Sequence, residues 1–148
     1  MPQIIFNLQF RGAAAPAGET GVMKATTSAT SCSMQTIMGP EGVIGTFSPV
    51  DGGLAYFESE VRITSSDAFT ESGTITFGDG DDSLRFSTVG QGHMGPSADP
   101  KHMHGAVTWK IEGGDGQFAG ATGLITSNFL LSDTGDVVDH QFGLVFVK

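Results

Sequence analysis

The stretch Trp109-Lys-Ile-Glu-Gly-Gly-Asp-Gly-Gln-Phe118-Ala-Gly-Ala-Thr-Gly123 decides how this chain is read. It starts as the end of one strand, passes through a glycine turn, closes a compact corner at Gly120 and Gly123, and opens a new strand. Gly113, Gly114 and Gly116 stand where a positive φ costs nothing, and Gly120 and Gly123 let backbone pass close to backbone. Phe118 is the apolar plug expected to hold the corner on the body of the protein. The corner also sets the register of the next strand, with Ile125, Ser127 and Phe129 on one face and Thr126 and Asn128 on the other.

Outward from the corner, strands are predicted at 102–111, 124–131 and 137–147, and upstream at 4–10, 22–27, 33–38, 43–47, 54–64, 69–77 and 84–89. Met38-Gly-Pro-Glu-Gly, Ser48-Pro-Val-Asp-Gly-Gly53 and Gly78-Asp-Gly-Asp-Asp82 read as turns. Residues 13–21, rich in Ala, Gly and Pro, read as a flexible connection or a lid over an opening. No repeat, heptad or convincing helix interrupts the pattern. Long strands joined by short glycine turns point to an all-β fold, a single antiparallel up-and-down barrel rather than a sandwich, since closure removes sticky edges.

At 148 residues the chain makes one domain, spanning 1–148. A net charge of −9 with only 7 Lys and Arg leaves nothing to neutralise phosphates, so neither nucleic acid nor an anionic membrane is an expected partner. Cys32 is the single cysteine, which excludes an intramolecular disulfide; it reads as a small core residue. The N-terminus has no basic region and no cleavable apolar segment, and no run is long enough to span a membrane, so a soluble cytoplasmic protein is expected.

Four constellations invite chemistry. His102-Met-His104 puts two imidazoles on one strand face with His93 nearby, as a cupin metal site does, but no glutamate occurs at the cupin spacing. His140 shares a face with Val138, Phe142, Leu144 and Phe146, which aims it at an apolar interior; there it is either a hydrogen-bonded core residue or a general acid or base. Tyr56 and Glu58 alternate with Glu60 and Arg62 on another strand, either as a wet outer face or as a polar lining of the barrel mouth. Pro2 would offer an N-terminal amine after loss of Met1, yet a tautomerase needs a β-α-β unit that is lacking. No Gly-x-Ser-x-Gly elbow, phosphate loop or dinucleotide fingerprint is present.

Two segments carry a family resemblance. Pro49-Val-Asp-Gly-Gly-Leu-Ala-Tyr-Phe-Glu-Ser-Glu-Val-Arg-Ile-Thr64 is similar to a strand of the spirotetronate cyclases, the abyssomicin-type intramolecular Diels–Alderases. Gly114-Asp-Gly-Gln-Phe-Ala-Gly-Ala-Thr-Gly123 resembles their Gly-x-Gly-aromatic-x-Gly-x-x-Gly turn, which allene oxide cyclases and dirigent proteins also carry in related form. The resemblance implies an eight-stranded barrel with an internal ligand cavity, assembled as a homodimer or homotrimer. It further implies a cofactor-free, metal-free cyclase acting on a small hydrophobic, unsaturated, polyketide-like substrate. The strand after the corner departs from those cyclases, since only Phe129 is aromatic there.

On this basis Tyr56, Trp109, Phe129 and Phe142 are expected to form cavity walls, with Glu58, Ser127 and His140 as polar anchors. Pericyclic closure needs no acid, base or metal, and orientation alone can contribute ~7–11 kcal/mol. The competing expectations are an isomerase or lyase using His140 as acid or base, a non-catalytic lipocalin- or dirigent-like binding barrel, and a metal-dependent barrel.

Overall fold

A computed structural model describes residues 2–148; Met1, whose removal the tautomerase reading requires, lies outside them. Nine strands succeed one another: β1 (Gln3–Pro16), β2 (Val22–Gly39), β3 (Gly42–Ser65), β4 (Ala68–Phe77), β5 (Asp82–Thr88), β6 (Gly92–Pro96), β7 (His102–Asp115), β8 (Thr122–Ser132) and β9 (Asp136–Phe146). Each pairs antiparallel with its neighbours, and a β3–β4 ladder joins the two ends of the sheet into a ring. β5 and β6 pair with successive stretches of both β4 and β7, so together they fill one position. The ring therefore has eight strand positions, as expected of the barrel.

The corner behaves as its composition demands. Gly116–Phe118 form one turn of 3-10 helix, and Gly116 sits at φ 64°, where a side chain would press on the Asp81 carbonyl. Gly114 has an ordinary φ; it is glycine because a Cβ would meet the Ser83 carbonyl and Phe118. Phe118 is buried, its ring 5.3 Å from that of Phe77, and it plugs the base of the barrel. Above it Phe10, Phe57, Phe86 and Trp109 form an aromatic floor, with Phe86 and Trp109 centroids 4.3 Å apart and Phe57 stacked on Phe86 at 5.4 Å.

One connection is shorter than expected and one expected turn is absent. Residues 13–16 belong to β1, and Ser48-Pro-Val-Asp-Gly-Gly53 is extended within the 24-residue β3. The glycines there serve a bulge: β2 and β3 pair up to Thr30↔Leu54 and resume at Cys32↔Pro49. Beyond that bulge the two strands leave the barrel as a two-stranded arm. Cys32 is half-buried at its root, with its Sγ donating to the Asn7 carbonyl at 3.2 Å. No helix is long and apolar enough to cross a membrane among the described residues.

Candidate active site

Alternation along each strand assigns one face to the barrel interior. On β8 these inward residues are Ile125, Ser127 and Phe129, in the register the corner predicts. On β7 Trp109 points inward and is fully buried. Ser127 and Phe129 line one cavity, and Trp109 lies in the aromatic floor against Phe57, which also lines it.

The other four predicted residues lie on the opposite side of the wall. On β3 the interior takes Ala55, Phe57 and Ser59, leaving Tyr56 and Glu58 exposed. On β9 it takes Asp139, Gln141, Gly143 and Val145; His140 is exposed, accepting a hydrogen bond from the Gln9 amide at 2.9 Å, and Phe142 is 46% exposed. The inward orientation predicted for His140 and Phe142 is therefore reversed by one residue. The reason is that the outward face of β9 is the more apolar of the two, so its pattern mimics a core face.

That reversal brings in two carboxyls that the sequence reading missed. Asp139 occupies the inward place beside His140, directly across from Phe129 in the β8–β9 ladder. Ser127 Oγ donates to Asp139 Oδ1 at 2.6 Å and Gln141 Nε2 donates to Oδ2 at 2.9 Å. Glu71, inward on β4, accepts from Ser59 Oγ at 2.5 Å. Its backbone is clamped to β5 by Thr88, whose hydroxyl accepts from Glu71 N–H at 2.6 Å and donates to Glu71 C=O at 2.7 Å. The only clue in the sequence was an acid at an inward position of each strand, visible once the face is known.

Burial dominates the electrostatics. Desolvation pushes the Glu71 carboxyl up from 4.5 to about 7, with the nearby Asp139 charge adding to the rise and Ser59 and Trp109 opposing it. Asp139 rises from 3.8 to about 6 by the same desolvation, opposed by its bonds from Ser127 and Gln141. All seven Lys and Arg side chains are exposed, so no cation faces either acid. Near pH 6.5 the pair holds about one proton between its two members.

The cavity above the aromatic floor is lined by Ala25, Thr27, Phe57, Phe69, Phe129 and the two acids, among others. Counted as room for the centre of a water molecule, its free space is about 60 Å³. That admits roughly five waters or part of a ring system. Met23, Met94, Leu131 and Val137 line it toward the end where residues 17–21, 66–67, 97–101 and 133–135 turn. The two unbranched methionines there can re-pack around a larger guest. Among the described residues Thr27 Oγ1 and Gln141 Oε1 are buried with no partner, and Trp109 Nε1 has no close one, the Glu71 carboxyl being the acceptor near it. Such orphans are costly unless a ligand or water satisfies them.

The histidines do not assemble a metal centre. His102 Nδ1 pairs with Asp99 at 2.8 Å, His104 and His93 are exposed, and no group of three His, Cys, Asp or Glu side chains converges among the described residues.

No family model matches the chain, and no curated protein sequence does so. Among solved structures it is similar to a pterocarpan synthase dirigent protein, with a TM-score of 0.63 and 17% identity over 99% of this chain and 88% of that one. At that identity the likeness establishes the shared β-barrel fold.

Proposed function

We propose that the barrel is a cofactor-independent cyclase of small-molecule, natural-product type, in which the Glu71–Asp139 pair moves a proton while the walls fold the substrate. The observation that carries this reading is the carboxyl pair itself: two hydrogen-bonded acids, held near neutrality in a largely apolar cavity with no cation beside them. Structural ion pairs also perturb carboxyls, but they lower the proton affinity rather than raise it. Here Glu71, the weaker acid, is the proton donor. Asp139, ionised first, accepts a proton or steadies positive charge that develops on an unsaturated chain.

The substrate class rests on the same chemistry. Two carboxyls without a counter-cation repel carboxylates and phosphates, so the guest is not an anion. Phe57, Phe69 and Phe129 suit a flat, unsaturated body. Thr27 Oγ1, the unpartnered hydroxyl in the cavity wall, can donate or accept, which suits a guest carrying a polar group. The likeness to a pterocarpan synthase is consistent with ring closure in such a barrel. Closure by pre-organisation alone, including a [4+2] addition of a polyketide-like chain, is the second reading, favoured by the aromatic walls. The acidic surface and lone cysteine fit a soluble, cytoplasmic enzyme.

Trp109, the single tryptophan, reports on the cavity. Titration with neutral dienes and polyenes should change its fluorescence, and the matching carboxylates should not. Bound members of the panel are then examined by chromatography for isomers of unchanged mass. If Glu71→Gln and Asp139→Asn both bind and turn over such a compound at the wild-type rate, the acid–base assignment is wrong.

A further inference from the structure

The arm formed by the ends of β2 and β3 has no partner in the chain. From Cys32↔Pro49 to Gly39↔Gly42 the two strands pair only with each other. An isolated two-stranded ribbon is marginal in water. Alternation gives this one an apolar face bearing Met34, Met38, Val43 and Phe47, with Met38 79% and Val43 72% exposed. The opposite face carries Ser33, Gln35, Thr46 and Ser48 around one Ile37–Ile44 pair. Where the arm leaves the barrel it also strips a strand edge. β1 pairs with β2 only over Arg11–Pro16, so on the side away from β9 the stretch Gln3–Phe10 joins no ladder and meets β2 only at the root of the arm, where the Cys32 thiol takes the Asn7 carbonyl.

Next to that bare edge lies a second apolar surface. The outward residues Ile5, Leu144 and Leu124 form one row across β1, β9 and β8, and Asn7, Phe142 and Thr126 form the next. Ile5, Leu124 and Phe142 are all exposed.

We propose that the arm of one copy of this chain seats on the β1–β9–β8 outer face of another, running along the bare edge of β1. Charge selects the occupant. The chain carries a net charge of −9, so most contacts between two copies would set acid against acid. These two surfaces carry almost none of that charge: residues 31–50 hold a single charge, Glu41, and the outward positions of β1, β9 and β8 between Ile5 and Leu130 hold only Arg11. The two lone charges are opposite in sign. Each surface also supplies what the other lacks, an unpaired strand edge and an uncovered apolar stripe. Eight paired positions at ~3.3 Å make a ribbon about 26 Å long and ~10 Å wide. Two such arms bury roughly 1,000 Å² in total, the threshold for a specific interface.

The test is a charge-swap experiment on the full chain, read by sedimentation velocity between 1 and 100 μM. An arm variant, Met38→Lys with Phe47→Lys, and a face variant, Leu124→Glu with Phe142→Glu, each place charge on exposed positions. The wild type should sediment as an oligomer. Each variant alone should be monomeric, with at least a 100-fold weaker association. An equimolar mixture of the two should recover the oligomer, because lysine arms meet glutamate faces and the remaining surfaces are native. A third variant, with residues 35–46 replaced by an Asn-Gly turn between Met34 and Phe47, should be monomeric with an unchanged circular dichroism spectrum. A monomeric wild type at 100 μM, an oligomer that survives arm shortening, or a mixture of folded variants that stays monomeric would each overturn the proposal.

Discussion

Replacing Glu71 by glutamine should make the protein more stable at neutral and alkaline pH and leave its stability in acid unchanged. The native Glu71 carboxyl is raised from 4.5 to about 7, so between those values the folded chain keeps a proton that the unfolded chain has lost. Stability is whole below about pH 4.5 and falls as pH rises through 7, because the unfolded state then escapes the cost of burying a charge. A displacement from 4.5 to about 7 corresponds to about 3 kcal/mol by pH 8. Glutamine has the same shape, keeps an acceptor for the Ser59 hydroxyl and carries no charge at any pH. Urea midpoints measured from pH 4 to pH 9 should therefore show the variant about 2–3 kcal/mol more stable at pH 8, or roughly 5–10 °C higher in Tm. At pH 4 the two proteins should agree within ~0.5 kcal/mol. General repulsion among the surface acids also grows with pH, but it acts on both proteins and cancels in the difference. A difference that does not vary with pH, or a variant less stable at pH 8, would refute the burial of an ionising Glu71. Activity should move the opposite way, since the group that weakens the fold is the one proposed to supply the proton.

The same geometry sets other outcomes. Asp139→Asn should lower turnover ~10²–10⁴-fold in a product assay, while His140→Ala, on the outer wall, should leave rate and pH profile unchanged. Ser127→Ala removes a bond that favours the ionised Asp139, so the limb of the pH–rate profile belonging to Asp139 should move to higher pH. Gly116→Ala forces a side chain to φ 64° against the Asp81 carbonyl and should cost about 1–3 kcal/mol in chemical denaturation without changing the pH profile.

Much of the architecture was legible along the chain. The Gly113–Gly123 corner marked the β7–β8 connection, and Phe118 plugs the base as its position suggests. The hairpin at Gly78 and the shared face of Ser127 and Phe129 came from local turn chemistry. The segment 48–53 misled because Pro, Asp and two glycines usually mark a reversal; here they serve a bulge on which a long strand bends away from the barrel. The arm was invisible for the same reason, since two halves of one strand were read as separate strands.

The catalytic assignment turned on parity. Period-two alternation sorts residues of β9 into two faces, Val138, His140, Phe142, Leu144 against Val137, Asp139, Gln141, Val145, and does so from the sequence alone. Which set faces inward is a property of the closed sheet. In an ordinary barrel the apolar set would lie inside and the polar set outside. Here the interior holds a cavity that keeps acids and amides, and the exterior of β9 carries an apolar surface. The sequence by itself therefore determined an all-β chain, its corner and its alternating faces, because those depend on φ/ψ preferences and local spacing. Only closure of the ring, with β3 meeting β4, decided that Glu71 and Asp139 share one cavity while Tyr56, Glu58, His140 and Phe142 stand outside it.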